Sequence, residues 1–230
     1  MQTPIPLQNL DRTIFELIRL RLVANDCIPD ITTFTGTAEQ INAAYQAAKE
    51  AMMGNGKIAI ELFGTSAPAI RDTKTQEKIV IDRKNIGLST RAMQGLYIVE
   101  SGPTYTEKRT VDSNTINYEI RVIATTIAAE RLAWKVMSEA LGTGLINVKS
   151  LNDNAVFEGE WFSINLQSVV NVTTLHDVME YVYSYSCPDV LLLEDTVIQE
   201  NIVPLIQIGV DISTKIETPQ NSDFQILITE

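Results

Sequence analysis

Ile116-Asn117-Tyr118-Glu119-Ile120-Arg121-Val122-Ile123-Ala124 decides how the chain folds. Ile116, Tyr118, Ile120, Val122 and Ala124 alternate with Asn117, Glu119 and Arg121, the period of a half-buried β-strand. Thr125 or Thr126 then offers an N-cap oxygen, and the period changes to helical. Ala129, Leu132, Ala133, Val136, Met137 and Ala140 form one apolar stripe, opposite Glu130, Arg131, Lys135, Ser138 and Glu139. Lys135 and Glu139 stand four apart, a spacing worth about 0.3–0.5 kcal/mol. Gly142 supplies a left-handed stop and Gly144 loosens the exit. Leu145, Ile146 and Val148 make a short following strand. The stripe requires a sheet to lie on, so this strand–helix–strand unit is the expected core.

Outward from that unit, size and composition set bounds. The chain has 230 residues, 45% of them hydrophobic, which suits one large domain, or a domain with a substantial insertion, with a real core. A net charge of -11 argues against binding driven by phosphate neutralisation. No apolar run reaches the roughly 18–20 residues of a membrane span, and the start lacks the basic end and apolar centre of a signal peptide. Cys27 and Cys187 are expected as two buried free thiols.

Upstream, residues 1–9 read as an extended arm. A first helix follows, with Thr13 and Glu16 at capping-box spacing, Asp11 as an alternative cap, and a stripe of Ile14, Leu17, Ile18 and Leu22. Asn25, Asp26 and Pro29 end it, and residues 31–34 read as a short strand or loop. A second helix spans about 37–53, capped by Thr37 and Gln40, with Ile41, Ala44, Tyr45, Ala48 and Met52 on one face. Residues 57–63 alternate as a strand, Ile58, Ile60 and Leu62 against Lys57, Ala59, Glu61 and Phe63. The polar stretch 64–76 reads as a long hairpin loop, with residues 78–83 as its return strand. Residues 85–91 look irregular, and 96–100 form another strand. Residues 104–114 are polar, either a loop or an extension of the Ile116 strand.

Downstream, Asn152-Asp153-Asn154 is a turn. Residues 157–167 alternate around Phe162, Ile164 and Leu166, and 169–172 break the alternation as a bulge would. Met179, Tyr181, Tyr183 and Tyr185 share one face of a further strand, an aromatic row suited to sheet packing or an interface. Residues 196–203 read as strand or short helix, and 205–217 and 224–229 as closing strands. The expected class is α+β (α/β): a mixed, mostly antiparallel sheet packed by a few helices, with long hairpin loops.

Chemistry is harder to find. The single histidine, His176, lies beside Asp177, without a second histidine or a nucleophile in a recognisable setting, and reads as a polar turn residue. Two cysteines and one histidine, none at ligand spacing, make no zinc site. Gly54-Asn55-Gly56 and Gly142-Thr143-Gly144 follow helices and precede strands, the wrong order for a phosphate loop. Glu158 and Glu160 could serve as an acid/base or cation-binding pair, but a solvated strand face accounts for them. No catalytic, cofactor-binding or metal-binding residue is expected. Arg71, Asp72, Lys74, Glu107, Lys108 and Arg109 are the candidate contact residues, on two long polar excursions. In an acidic chain without interleaved aromatics these islands favour protein contacts over nucleic acid.

One pattern goes further. An opening helix at 14–22 leads to the strand pair within 57–83. Thr106-Glu107-Lys108-Arg109 then runs into Tyr118-Glu119-Ile120-Arg121-Val122, and the helix 128–141 and a short strand follow. The pattern ends on Phe157-Glu158-Gly159-Glu160-Trp161-Phe162-Ser163-Ile164 and Val178-Met179-Glu180-Tyr181-Val182. This order resembles the neck or tail terminator proteins of tailed bacteriophages. The resemblance lies in pattern and order and covers roughly residues 10–185. Residues 37–53 read as a helical insertion and 190–230 as a C-terminal β extension. It implies a tail-terminator-like fold without catalysis or cofactor. It also implies a homohexameric ring in the virion neck that ends the tail tube and meets the head connector. Self, neighbouring neck or connector proteins, and tail-tube or sheath proteins are the implied partners, with no membrane. DNA would pass an acidic lumen without binding specifically. Two alternatives remain: another phage component (head-completion, tail-completion or baseplate), or a small soluble enzyme or ligand-binding domain.

Overall fold

The computed structural model describes residues 4–64, 77–88, 94–101, 105–173 and 178–201. Among the described residues there are three α-helices, α1 (Leu7–Ala24), α2 (Ala38–Gly54) and α3 (Ile127–Leu141). The strands are β1 (Ile5–Pro6), β2 (Glu61–Phe63), β3 (Lys78–Leu88), β4 (Gln94–Ser101), β5 (Tyr105–Ala124), β6 (Leu145–Lys149), β7 (Trp161–Asn171) and β8 (Met179–Asn201). The sheet runs β2-β3-β5-β8-β7-β6, with β1 on β8 and β4 on β5. β3–β5, β6–β7 and β7–β8 are antiparallel, whereas β1–β8 and β2–β3 are parallel. The class is α+β with a mixed, mostly antiparallel sheet, as the alternating and helical periods required.

The chain forms two compact units: Met1–Met93 with Asp112–Leu193, and Gln94–Val111 with Glu194–Glu230. The first holds the helices and the core. All five inward residues of the Ile116 strand are at most 1% exposed. Across the β3–β5 ladder Ile79 stands opposite Val122 and Ile81 opposite Ile120, so the buried side chains of both strands share one face. Ile14, Ile18 and Leu22 of α1 and Ala133, Val136 and Met137 of α3 join the same cluster. The tyrosine row completes it: Tyr183 stacks on Trp134 of α3 at 5.7 Å, and the Tyr185 hydroxyl donates to the Gly142 carbonyl at 3.3 Å. The other face is wet, with the exposed pair Lys84–Glu119 (3.2 Å) and the half-buried pair Arg121–Glu180 (3.1 Å).

Thr126 is the cap of α3, accepting from the Ala129 amide at 3.1 Å, and the capping box of α2 on Thr37 and Gln40 is complete. Lys135 and Glu139 approach to 3.8 Å. Gly142 stops α3, but at φ 73°, ψ 172°, not in the left-handed helical region. That backbone region is essentially reserved for glycine, and an added Cβ would lie 2.8 Å from Ile146 Cγ2. Gly142→Ala should therefore lower stability by about 1–3 kcal/mol, read as a shifted urea midpoint at unchanged m.

Several expectations are corrected. α1 begins at Leu7, so Thr13 and Glu16 form no capping box and Asp11 is no cap. Pairing of Ile5 and Pro6 with Leu192 and Leu193 directs the chain into the helix early, and Leu10 is fully buried. β2 and β3 run parallel, so they are not two arms of a hairpin; residues 65–76 between them lie outside the described residues. Residues 31–33 form a 3-10 turn, capped by the Asp30 carboxylate accepting from the Thr32 amide at 3.1 Å. β3 continues to Leu88, with a register shift between Arg83 and Ile86. The β7 bulge falls between Leu166 and Ser168, earlier than the broken alternation suggested. β5 and β6 are not neighbours, because β8 and β7 lie between them. The stretch 105–114 is strand, the continuation of β5, and 196–201 is strand, the continuation of β8.

Candidate functional site

A concavity lies where α1, the 28–32 turn, α2 and β2 converge. It encloses about 290 Å³. Phe15, Ile28, Pro29, Ile31, Tyr45 and Leu62 give it apolar walls, and Glu16, Arg19, Thr32 and Glu61 supply polar groups. Helix spacing explains the charged side. Glu16 and Arg19 are three apart on α1 and meet at 2.6 Å, while Arg19 Nη1 reaches Asp30 Oδ1 at 3.4 Å. Asp30 accepts hydrogen bonds from the Thr32 hydroxyl and amide, which hold its carboxyl below the ordinary range. Two carboxylates around one guanidinium leave this rim net acidic.

Behind the cavity Lys49 Nζ donates to Glu61 Oε1 at 2.9 Å, with side chains only 1% and 3% exposed. The alternation of 57–63 sets Glu61 on the face opposite Ile58, Ile60 and Leu62. Yet Ala59, Ile60, Glu61 and Leu62 are all buried, because α2 lies against this segment and the pair makes burial of Glu61 tolerable. Nothing local signals it: an apparently wet lysine and an apparently wet glutamate meet only through the tertiary fold.

A second polar cluster joins α1 to the sheet. Tyr118 of β5 and Arg83 of β3 are register partners. Both reach Asp11: the Tyr118 hydroxyl donates to Oδ1 at 2.7 Å and Arg83 Nη1 pairs with Oδ2. Burial raises the Asp11 carboxyl above its ordinary value, opposed by the Tyr118 bond and by Arg83. Burial also raises the Tyr118 phenol well above the usual range. Two residues along α1, Thr13 donates to the Asn9 carbonyl at 2.6 Å and accepts from the Leu151 amide at 2.8 Å, while Asn9 donates to Asp153 at 2.9 Å. Asp11 and Thr13 read as caps in sequence; with Asn9 their work is to attach α1 to β3, β5 and the 150–153 turn. The arrangement is structural, since its carboxylate faces the core.

Cys27 and Cys187 are buried free thiols, each pushed up to about 12, chiefly by burial. At neutral pH neither is a ready nucleophile. Among the described residues no group of three or more His, Cys, Asp or Glu is placed to hold a metal, and no helix is long and apolar enough to cross a membrane. Glu158 is exposed and Glu160 half-buried in the turn before β7. His176, Arg71, Asp72 and Lys74 lie outside the described residues, while Glu107, Lys108 and Arg109 fall on β5 within the second unit.

The third feature is the end of the sheet. β6 pairs on one side with β7, and there Leu145, Asn147, Trp161, Phe162, Ser163, Pro188 and Asp189 line a broad shallow depression. Leu145 is 64% exposed and Trp161 56%. The alternation around Phe162, Ile164 and Leu166 puts Trp161 on the opposite face, and the structure leaves it exposed there while Phe162 is buried. Compared with known proteins, the sequence matches no family model and no curated protein.

Proposed function

We propose that this chain is a structural subunit of a homohexameric ring at the neck of a tailed phage, ending the tail tube and joining it to the head connector. The observation that carries the reading is the length and division of two strands. β5 has 20 residues and β8 has 23, against the roughly 3–10 usual in globular sheets. Each contributes to both compact units. A helix-covered core does not need strands of that length; a subunit held by neighbours through long β segments does. The element order at residues 10–185 supports the same assignment, and the charge of -11 suits a passage through which DNA moves without binding. The role involves no reaction, cofactor or membrane. Its partners are copies of itself and the adjoining connector, tube or sheath proteins, and its place is the virion after synthesis in host cytoplasm.

Imaging of the purified protein and of the particle that carries it tests this. Six-fold rings with an acidic lumen, found between head and tail, are the expected result. Absence of the chain from the particle, or turnover of a metabolite by the purified protein, would overturn it. A monomer in dilute solution does not count against it, because each pairwise interface in such a ring is small and assembly follows concentration.

A further inference from the structure

The two ends of the sheet in the first unit carry complementary features. At the β6–β7 end, Trp161 stands more than half exposed, with Lys149 Nζ 5.6 Å from its ring centroid. At the β2 end lies the cavity between α1, α2 and β2. Its volume of about 290 Å³ is at the lower limit of the ~300–1,000 Å³ typical of small-molecule pockets, a size suited to one large side chain. Its walls include the rings of Phe15 and Tyr45, and its rim carries Glu16 and Asp30 around Arg19. Tryptophan is among the side chains most often found to anchor interfaces. A tryptophan that arrives with a lysine above it matches an aromatic-walled cavity with a net acidic rim.

We propose that Trp161 of one copy seats in the α1–α2–β2 cavity of the next, with Lys149 meeting the Glu16 and Asp30 carboxylates. The contact is head-to-tail: the donating and receiving surfaces differ and stand at opposite ends of one sheet. Such heterologous contacts close into rings when the rotation permits. The inference rests on the ring reading and names the surfaces that would make it.

The chain has two tryptophans, Trp134 and Trp161, so protein labelled with 5-fluorotryptophan gives two assignable fluorine signals. Adding unlabelled protein should move the Trp161 signal and leave that of Trp134, packed on Tyr183, in place. Unlabelled Thr32→Trp, whose new ring fills the cavity from its exposed side, should not move it. Free indole should compete. Trp161→Ala should weaken self-association about 30-fold in sedimentation, the loss expected of an anchoring residue. Mixing Trp161→Ala with Thr32→Trp should give a one-to-one dimer and nothing larger, because one intact knob and one intact cavity remain in the mixture. Circular dichroism checks that both variants fold.

Self-association with a stationary Trp161 signal would overturn this contact while leaving the ring standing. A signal moved equally by Thr32→Trp would also overturn it, as would a signal unmoved at any concentration. Indole binding that leaves Trp161 untouched would make the cavity a small-molecule site instead. Rings found in the particle but built on other surfaces separate failure of this contact from failure of the functional assignment.

Discussion

Glu61→Ala should destabilise the protein by about 3–5 kcal/mol, the range for removing one partner of a buried ion pair. Lys49 is 1% exposed and its ammonium lies 2.9 Å from the Glu61 carboxylate. Without that carboxylate the cation keeps its desolvation penalty and loses the counter-charge 2.9 Å away. Global stability of single domains is typically about 5–15 kcal/mol, so the loss is a large fraction of the whole. Lys49→Met should cost a comparable amount, by taking away the ammonium that faces the buried Glu61 carboxylate. The double variant Lys49→Met/Glu61→Leu should recover most of the loss, since replacing both buried charges with apolar groups is often neutral or stabilising by about 1–4 kcal/mol. Urea unfolding of the four proteins closes the cycle. If the single variants lose less than about 1 kcal/mol, in the range of an exposed pair, the pair is not buried as described.

Tyr118 should show the next largest effect, and its two substitutions separate packing from hydrogen bonding. Tyr118→Ala empties a site 1% exposed and should cost about 3–5 kcal/mol, the range for a large buried aromatic. Tyr118→Phe keeps the ring and removes only the hydroxyl that donates to Asp11 at 2.7 Å, at a cost of about 1–3 kcal/mol. The smaller loss should depend on pH. Burial raises the Asp11 carboxyl above its ordinary value of 3.8, so its protonation favours the folded state. That contribution is complete below the unfolded value and is lost as pH rises through the folded one. Tyr118→Phe removes a bond that lowers the carboxyl, which moves the folded value further up and widens the loss. The cost of Tyr118→Phe should thus grow as pH rises through the acid range and level off once Asp11 is ionised. A cost independent of pH would show that the hydroxyl does not stabilise the Asp11 carboxylate.

Both sites explain why sequence reasoning reached the frame and not the polar interior. Local periods identified β5, α2, α3 and the tyrosine strand, because a segment half in water and half in a core must alternate with its own geometry. Capping chemistry identified Thr37 and Thr126 for the same local reason. Asp11, Thr13 and Glu16 carried an equally good local signal and misled, since Pro6 and the pairing of Ile5 with Leu192 start α1 earlier. The proposed contact divides the same way. Trp161 sits on a strand legible from its alternation, opposite the buried Phe162 and Ile164, but the lysine beside its ring, Lys149, is brought there only by the β6–β7 pairing.

The order of amino acids determined by itself the bodies of the helices and of the central strand, the inward face of β5 and the stripe of α3, and the acidic balance of the whole. Neighbour relations required the tertiary structure. The placement of β8 and β7 between β5 and β6, the parallel run of β2 beside β3, and the burial of Lys49 against Glu61 are pairings across long stretches of chain. A period records what a residue needs from its surroundings; the surroundings that satisfy it are chosen only when distant segments compete for the same buried space.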